Sequence, residues 1–177
     1  GVAVSTDDTR PADLIREADT AMYVAKAEGR DRVSVFNEEL RATVTSRLAI
    51  EGDIRRALER GQLAVWYQPE VDLVTGTVIA AEALLRWHHP SGELFTADRF
   101  VDVAEETGLI LDIGDWVLRE ACTQAASWGS DGRGSPITVR VNLSALQLAE
   151  SGLLDALDDA LATSGLDDPL AGASTLR

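Results

Sequence analysis

Apolar positions recur along this chain with two different periods, and the change from one to the other divides it. Near the N-terminus the short run Val2-Ala3-Val4 is followed by polar residues, after which Leu14, Ile15, Ala18, Met22 and Ala25 recur at three-to-four spacing. That spacing predicts one stripe of a helix. Pro11 suits its first turn, where the missing N–H would be unpaired anyway, and Gly29 suits its stop. Residues 32–36 alternate as a strand does. A second helical stretch over 38–60 sets Leu40, Val44, Leu48, Ile54 and Leu58 on roughly one face and ends at Gly61.

From Leu63 the pattern turns to strands alternating with helices. Residues 63–73 and 77–87 read as strands joined by a hairpin-type turn at Thr75-Gly76, so this first pair is expected to be antiparallel. Residues 97–107 and 109–128 read as amphipathic helices, the second with Ile113, Trp116, Val117, Ala121 and Ala125 in register. A Gly/Ser/Asp loop over 129–136, a third strand over 137–143 and a helix over 153–163 stopped at Gly165 complete the reading. The expected class is α/β with a largely parallel sheet.

Alternation also assigns strand faces. In the second strand Ile79, Ala81, Ala83, Leu85 and Trp87 form an apolar face, while Val78, Ala80, Glu82, Leu84 and Arg86 face the other way. A carboxylate on such a strand is costly to desolvate unless it is paired or binds a metal. Glu82 is therefore either half of a structural pair with Arg86 or part of a site. The third strand repeats the design, with Ile137, Val139, Val141 and Leu143 opposite Thr138, Arg140, Asn142 and Ser144. Asn142 falls near the strand's C-terminal end, where α/β barrels place their sites, and its amide oxygen is a hard ligand. Two polar faces aimed at one place favour a site.

Composition narrows the function. Among 177 residues, Lys+Arg number 16 against 30 Asp+Glu, a net charge of −14 that speaks against nucleic acid or anionic lipid as a partner. The single cysteine, Cys122, excludes an internal disulfide and fits a cytoplasmic location. The most apolar stretches, 78–85 and 109–118, are interrupted by Glu82, Asp112 and Asp115, so no direct membrane contact is expected. The only methionine is Met22, inside a helical pattern, and the chain is expected to begin within a longer protein.

Other candidates read as structural. His88-His89 precedes Pro90 in a turn, Cys122 lies on an apolar helix stripe, and Glu105-Glu106 and Asp158-Asp159 look like solvated helix faces. Trp66, Trp87, Trp116 and Trp128 read as packing residues. The sequence contains neither a Gly-rich phosphate loop nor a nucleophilic triad.

The text around the second strand carries a resemblance. Glu82-Ala83-Leu84 runs into Leu85-Arg86-Trp87, with Trp66-Tyr67-Gln68-Pro69 upstream and His89-Pro90, Phe100, Ala104-Glu105 and Gly108-Leu109-Ile110 downstream. Trp116-Val117-Leu118, Ala121-Cys122, Val141-Asn142-Leu143-Ser144-Ala145 and Gln147-Leu148 follow in order. This resembles the EAL domains, bacterial cyclic-di-GMP phosphodiesterases. Residues 1–37, through Ala18-Asp19, Ala21-Met22-Tyr23, Ala25-Lys26 and Gly29-Arg30, resemble the βαβ end of a GGDEF diguanylate cyclase domain. The organisation implied is a GGDEF end over 1–37, a linker helix over 38–46, and the N-terminal part of an EAL domain over 47–177.

The resemblance implies the first three strands of a (β/α)8, TIM-like barrel whose first strand is antiparallel. It implies Glu82 and Asn142 as metal ligands, Arg86 on a phosphate of cyclic-di-GMP, and Gln68 as a further substrate contact. Two Mg2+ or Mn2+ ions would serve hydrolysis to linear pGpG. Lys26 and Arg30 would match the pair that holds the terminal phosphate of GTP. The parent is expected to be a homodimer, with room for a membrane sensor upstream. Glu70 departs from the usual aliphatic residue and Ala97 from proline. After Asp167 the text no longer follows the family, whose further metal ligands lie beyond that point. The chain alone is therefore expected to be inactive, and a non-catalytic module that binds the dinucleotide or a protein is the competing class.

Overall fold

The computed structural model describes residues 1–6, 9–27, 29–128 and 137–166. The chain forms two compact units, Gly1–Gly52 and Asp53–Arg177. The loop expected over 129–136 lies outside the described residues, as does the end of the chain from residue 167.

In the first unit, helix α1 (Pro11–Ala27) lies between two extended segments. These touch in parallel through one bridge, Val2 with Val35, where Val2 N–H donates to the Ser34 carbonyl (2.9 Å) and Phe36 N–H to that of Val2 (2.7 Å). The two strands expected here thus reduce to a single bridge. The buried stripe of α1 is Ala21 and Ala25, with Ile15 and Met22 exposed. The N-terminal segment approaches the helix backbone closely: a Cβ on Gly1 would collide with the Ala18 carbonyl and the Met22 backbone. Helix α2 (Glu38–Glu59) starts at Asn37, whose side-chain oxygen accepts from Leu40 N–H (2.7 Å). Its buried positions are Ile50, Ile54 and Ala57, whereas Leu48 is exposed.

Among the described residues the second unit is built on a four-stranded sheet with two antiparallel pairings and one parallel, which corrects the expected largely parallel sheet. Strands β1 (Leu63–Val71) and β2 (Val78–His88) are antiparallel, as the turn chemistry requires. The Asp72 carboxylate accepts from Val74 N–H (2.8 Å) and Thr75 N–H (2.9 Å), and Gly76 takes a φ of +68° to bring the chain back. Strand β3 (Leu94–Thr96) pairs antiparallel with the end of β2. Three strands were expected, and this fourth corrects that reading, because three residues are too few to display alternation. The helix expected over 97–107 is also divided: a 3-10 turn (Ala97–Arg99) precedes α3 (Val101–Glu106).

Helix α4 (Leu109–Trp128) occupies the expected residues. Strand β4 (Thr138–Val141) then pairs parallel with β2, through Ala80–Thr138, Ala81–Val139, Glu82–Arg140 and Ala83–Val141. Helices α5 (Ala145–Ala149) and α6 (Leu153–Ser164) follow. The first was not anticipated, although its capping box is in the sequence: Ser144 accepts from Gln147 N–H, and the Gln147 side chain accepts from Ser144 N–H.

The core lies between α4 and the apolar face of β2. Ala81, Ala83, Ile113, Val117 and Ala121 are buried on that side, and Trp87 is buried against Phe95 and Phe100 at the end of β2. Ile79, assigned to the same face, is half exposed at the strand's start. Tyr67 of β1 reaches α4, its hydroxyl donating to the Glu120 carbonyl (3.3 Å) and its ring meeting Trp128 edge-on at 5.0 Å. Burial, with Glu120 nearby, pushes the Tyr67 phenol up to about 12. Burial likewise raises the Cys122 thiol, in keeping with its place on the helix stripe.

Candidate functional site

The register of the sheet brings the polar positions of three strands into rows on one face. Gln68 of β1 stands opposite Glu82 of β2, and Glu82 stands beside Arg140 of β4. One row away, Glu70 faces Ala80, and Ala80 faces Thr138. On the other side, Trp66 pairs with Leu84 and Ala64 with Arg86. Alternation along each strand places these side chains together, opposite the face that α4 covers.

Asn142 follows immediately after β4, and its side-chain amide donates to Glu82 Oε1 at 2.8 Å. The two residues read from separate strands as metal ligands are therefore in contact. The alternative pairing of Glu82 with Arg86 is corrected. Glu82 is taken up by the Asn142 amide, and Arg86 lies about 13 Å further along the strand. Arg86 instead donates to the Leu85 carbonyl (2.9 Å) and carries its guanidinium over the Trp66 ring, 5.7 Å from the centroid.

Trp66 was read as packing, and half of its surface, 51%, is exposed on the site face. The signal was available, since Trp66 lies two residues before Gln68 and so shares its side of the strand. Arg140 and Glu70 were also passed over. Arg140 Nε lies 2.9 Å from Glu70 Oε1 and 3.1 Å from Oε2, joining β4 to β1 across β2. Of the other tryptophans, Trp87 is fully buried, which agrees with its reading. His89 also behaves as expected: its ring stacks on Phe95 at 4.4 Å, and its Nδ1 lies 2.8 Å from Ser91 Oγ.

Beside this cluster a cleft of about 340 Å³ opens between β2, α3, α4 and the segment after β4. Arg86 and Asn142 line it, together with Asp98, Asp102, Ser144 and Gln147. Glu82 and Asn142 offer a carboxylate and an amide oxygen, hard donors suited to Mg2+ or Mn2+, which take about six ligands. Among the described residues no group of three or more His, Cys, Asp or Glu is gathered for a metal. The fit is thus that of part of a metal site. Lys26 and Arg30 stand in the other unit: Lys26 is in the last turn of α1, and Arg30 has a φ of 61° just beyond Gly29. Among the described residues no helix is long and apolar enough to cross a membrane.

The fold of the second unit agrees with the comparisons with known proteins. The EAL domain family matches residues 51–171, and the chain belongs to that family. It is 44% identical over 168 residues to MucR of Pseudomonas aeruginosa, named a bifunctional diguanylate cyclase/cyclic di-GMP phosphodiesterase. That alignment takes in 94% of this chain and 24% of MucR. The cyclic di-GMP phosphodiesterase PdeR of Escherichia coli is 39% identical over 162 residues, 91% of this chain and 24% of PdeR. The chain thus spans about a quarter of the length of these relatives. Among solved structures, the PaMucR phosphodiesterase in complex with c-di-GMP matches at 47% identity and a TM-score of 0.62, covering 67% of this chain and 47% of that one. The FimX EAL domain of Pseudomonas aeruginosa bound to c-di-GMP matches at 28% identity and a TM-score of 0.57, over 68% of this chain and 46% of that EAL-domain chain.

Proposed function

We propose that this chain is the first part of a metal-dependent phosphodiesterase domain that hydrolyses cyclic-di-GMP to linear pGpG. The observation that carries the reading is the 2.8 Å contact between Asn142 and Glu82, made on the same sheet face as Gln68 and Arg86. In this reading Glu82 and Asn142 hold a divalent ion, Mg2+ or Mn2+, whose chemistry is to polarise the phosphoryl group and acidify water. Arg86 binds a substrate phosphate, and its contact with Trp66 holds the guanidinium on the site face. Gln68, opposite Glu82, is a further substrate contact.

Among the described residues only Glu82 and Asn142 are assigned as metal ligands, so the chain by itself is expected to bind cyclic-di-GMP weakly and not to cleave it. The segment 1–37 is assigned to the end of a GGDEF domain, 38–46 to a linker helix and 47–177 to the EAL part. The parallel Val2–Val35 bridge around α1 and the extent of the MucR alignment support this division. Lys26 and Arg30, both exposed and four residues apart, are then the remaining phosphate-holding pair of that domain. The free thiol at Cys122 favours a cytoplasmic setting, and the parent protein is assigned as a homodimer.

The test is release of pGpG from cyclic-di-GMP with Mg2+ or Mn2+, by the longest protein that contains this chain and by the chain alone. Activity in the first, abolished by Glu82→Gln and by Asn142→Ala, is the expected result. Binding without turnover in the longer protein would instead assign a non-catalytic dinucleotide-binding module.

A further inference from the structure

Arg140 bypasses the carboxylate nearest to it. Its neighbour in the sheet is Glu82, one strand spacing away, at about 4.8 Å between backbones. Its ion-pair partner is Glu70, two strands away on β1 and in the row below, reached at 2.9 Å. Between the two strands, in the row of Glu70, β2 carries Ala80, a buried residue with a single methyl group. Glu82 meanwhile bonds to the Asn142 amide.

This arrangement matters because a guanidinium is the strongest competitor a carboxylate ligand can have beside it. Its fork offers paired N–H donors that match both carboxylate oxygens. Seated on Glu82, Arg140 would occupy the oxygens that a cation needs and add a positive charge where the cation must sit. The geometry points to Glu70 as a positioning residue that tethers Arg140 across β2 and so keeps the Glu82 carboxylate open to a divalent ion. The inference rests on the reading of Glu82 as a metal ligand, and it gives Glu70, a departure from the aliphatic residue expected there, a specific task. The tether is partly exposed, with side-chain accessibilities of 61% for Arg140 and 37% for Glu70, so its removal should bias Arg140 without unfolding the sheet.

Two readouts on the full chain test it. In the experimental structure of Glu70→Gln, the Arg140 guanidinium is expected to move onto Glu82. A guanidinium still on residue 70, or turned into solvent, overturns the proposal. Separately, Mn2+ added to labelled protein should broaden the Asn142 side-chain amide signal in wild type. Glu70→Gln should need roughly fivefold more Mn2+ for the same broadening, the range of one exposed ion pair. Glu70→Gln/Arg140→Ala should return to the wild-type response, and a double variant no better than the single one overturns the tether. If Glu82→Gln leaves the Mn2+ response unchanged, the metal-ligand reading fails, while the position of Arg140 in Glu70→Gln still decides the tether.

Discussion

The guanidinium of Arg86 lies over the indole of Trp66, 5.7 Å from the ring centroid, although the two belong to different strands. Their partners across the sheet are Ala64 for Arg86 and Leu84 for Trp66, so the contact is diagonal. The small side chain at Ala64 leaves Arg86 free to lean towards the ring. A cation over an aromatic face is attracted by the ring's negative quadrupole, which holds the charge on the site face without neutralising it.

For dinucleotide binding this contact separates two effects. In the longest protein that contains this chain, Arg86→Ala should remove the charge proposed to meet a phosphate and abolish cyclic-di-GMP binding within the measurable range. Trp66→Ala leaves the charge but frees the side chain, and should weaken binding by about fivefold, the scale of an exposed cation–π contact. Titration calorimetry with the dinucleotide measures both. Equal losses would argue that Trp66 touches the ligand itself.

Tyr67 makes stability depend on pH at the alkaline end. Its phenol is pushed up to about 12 by burial, with Glu120 adding to the effect. A raised acid pKa means that the folded state holds the proton more tightly than the unfolded state, whose phenol titrates near 10. The contribution is therefore complete below about pH 10 and is lost as pH rises towards about 12. Urea unfolding followed from pH 8 to 12 should show the decline, and Tyr67→Phe should flatten it.

Gly114 is needed for its lack of a side chain. A Cβ there would collide with the Gln147 amide, and Gln147 is buried and occupied in the capping box with Ser144. Gly114→Ala should destabilise the chain by about 1–3 kcal/mol, as overpacking does. Gln147→Ala in the same chain should recover part of that loss. Denaturant midpoints of the three variants decide it.

Trp87 is the centre of the aromatic cluster at the end of β2. It is fully buried, with His89 at 4.8 Å and Phe95 and Phe100 each at 5.5 Å, all edge-on. Trp87→Ala should cost about 3–5 kcal/mol, and Trp87→Phe much less, in thermal or urea unfolding. A small loss for the alanine variant would show that this end of the sheet folds independently of the rest.

Much of this was legible in the chain. The alternation of Glu82 with apolar neighbours, the turn at Thr75-Gly76 and the long amphipathic run of α4 are local patterns, and local sterics and burial enforce them. The readings that failed depend on what lies opposite. Ile15 and Met22 were placed inward by hydrophobicity, but they are exposed, and the positions α1 buries are Ala21 and Ala25. Strand β3 has too few residues to carry a period, and its existence depends on the edge that β2 offers.

By itself the sequence determined which residues share a strand face and which family the chain belongs to, because side-chain period and motif spacing are properties of one segment at a time. Register between segments was decided by the tertiary structure. Parallel pairing of β4 with β2 set Arg140 beside Glu82 and brought Asn142 to 2.8 Å from it, across 60 residues of chain. Antiparallel pairing of β1 put Glu70 within reach of Arg140 and Trp66 under Arg86. A slip of one residue would turn a strand's whole set of side chains to the other face. The site is therefore a consequence of register, and register is a relation between strands that no single strand contains.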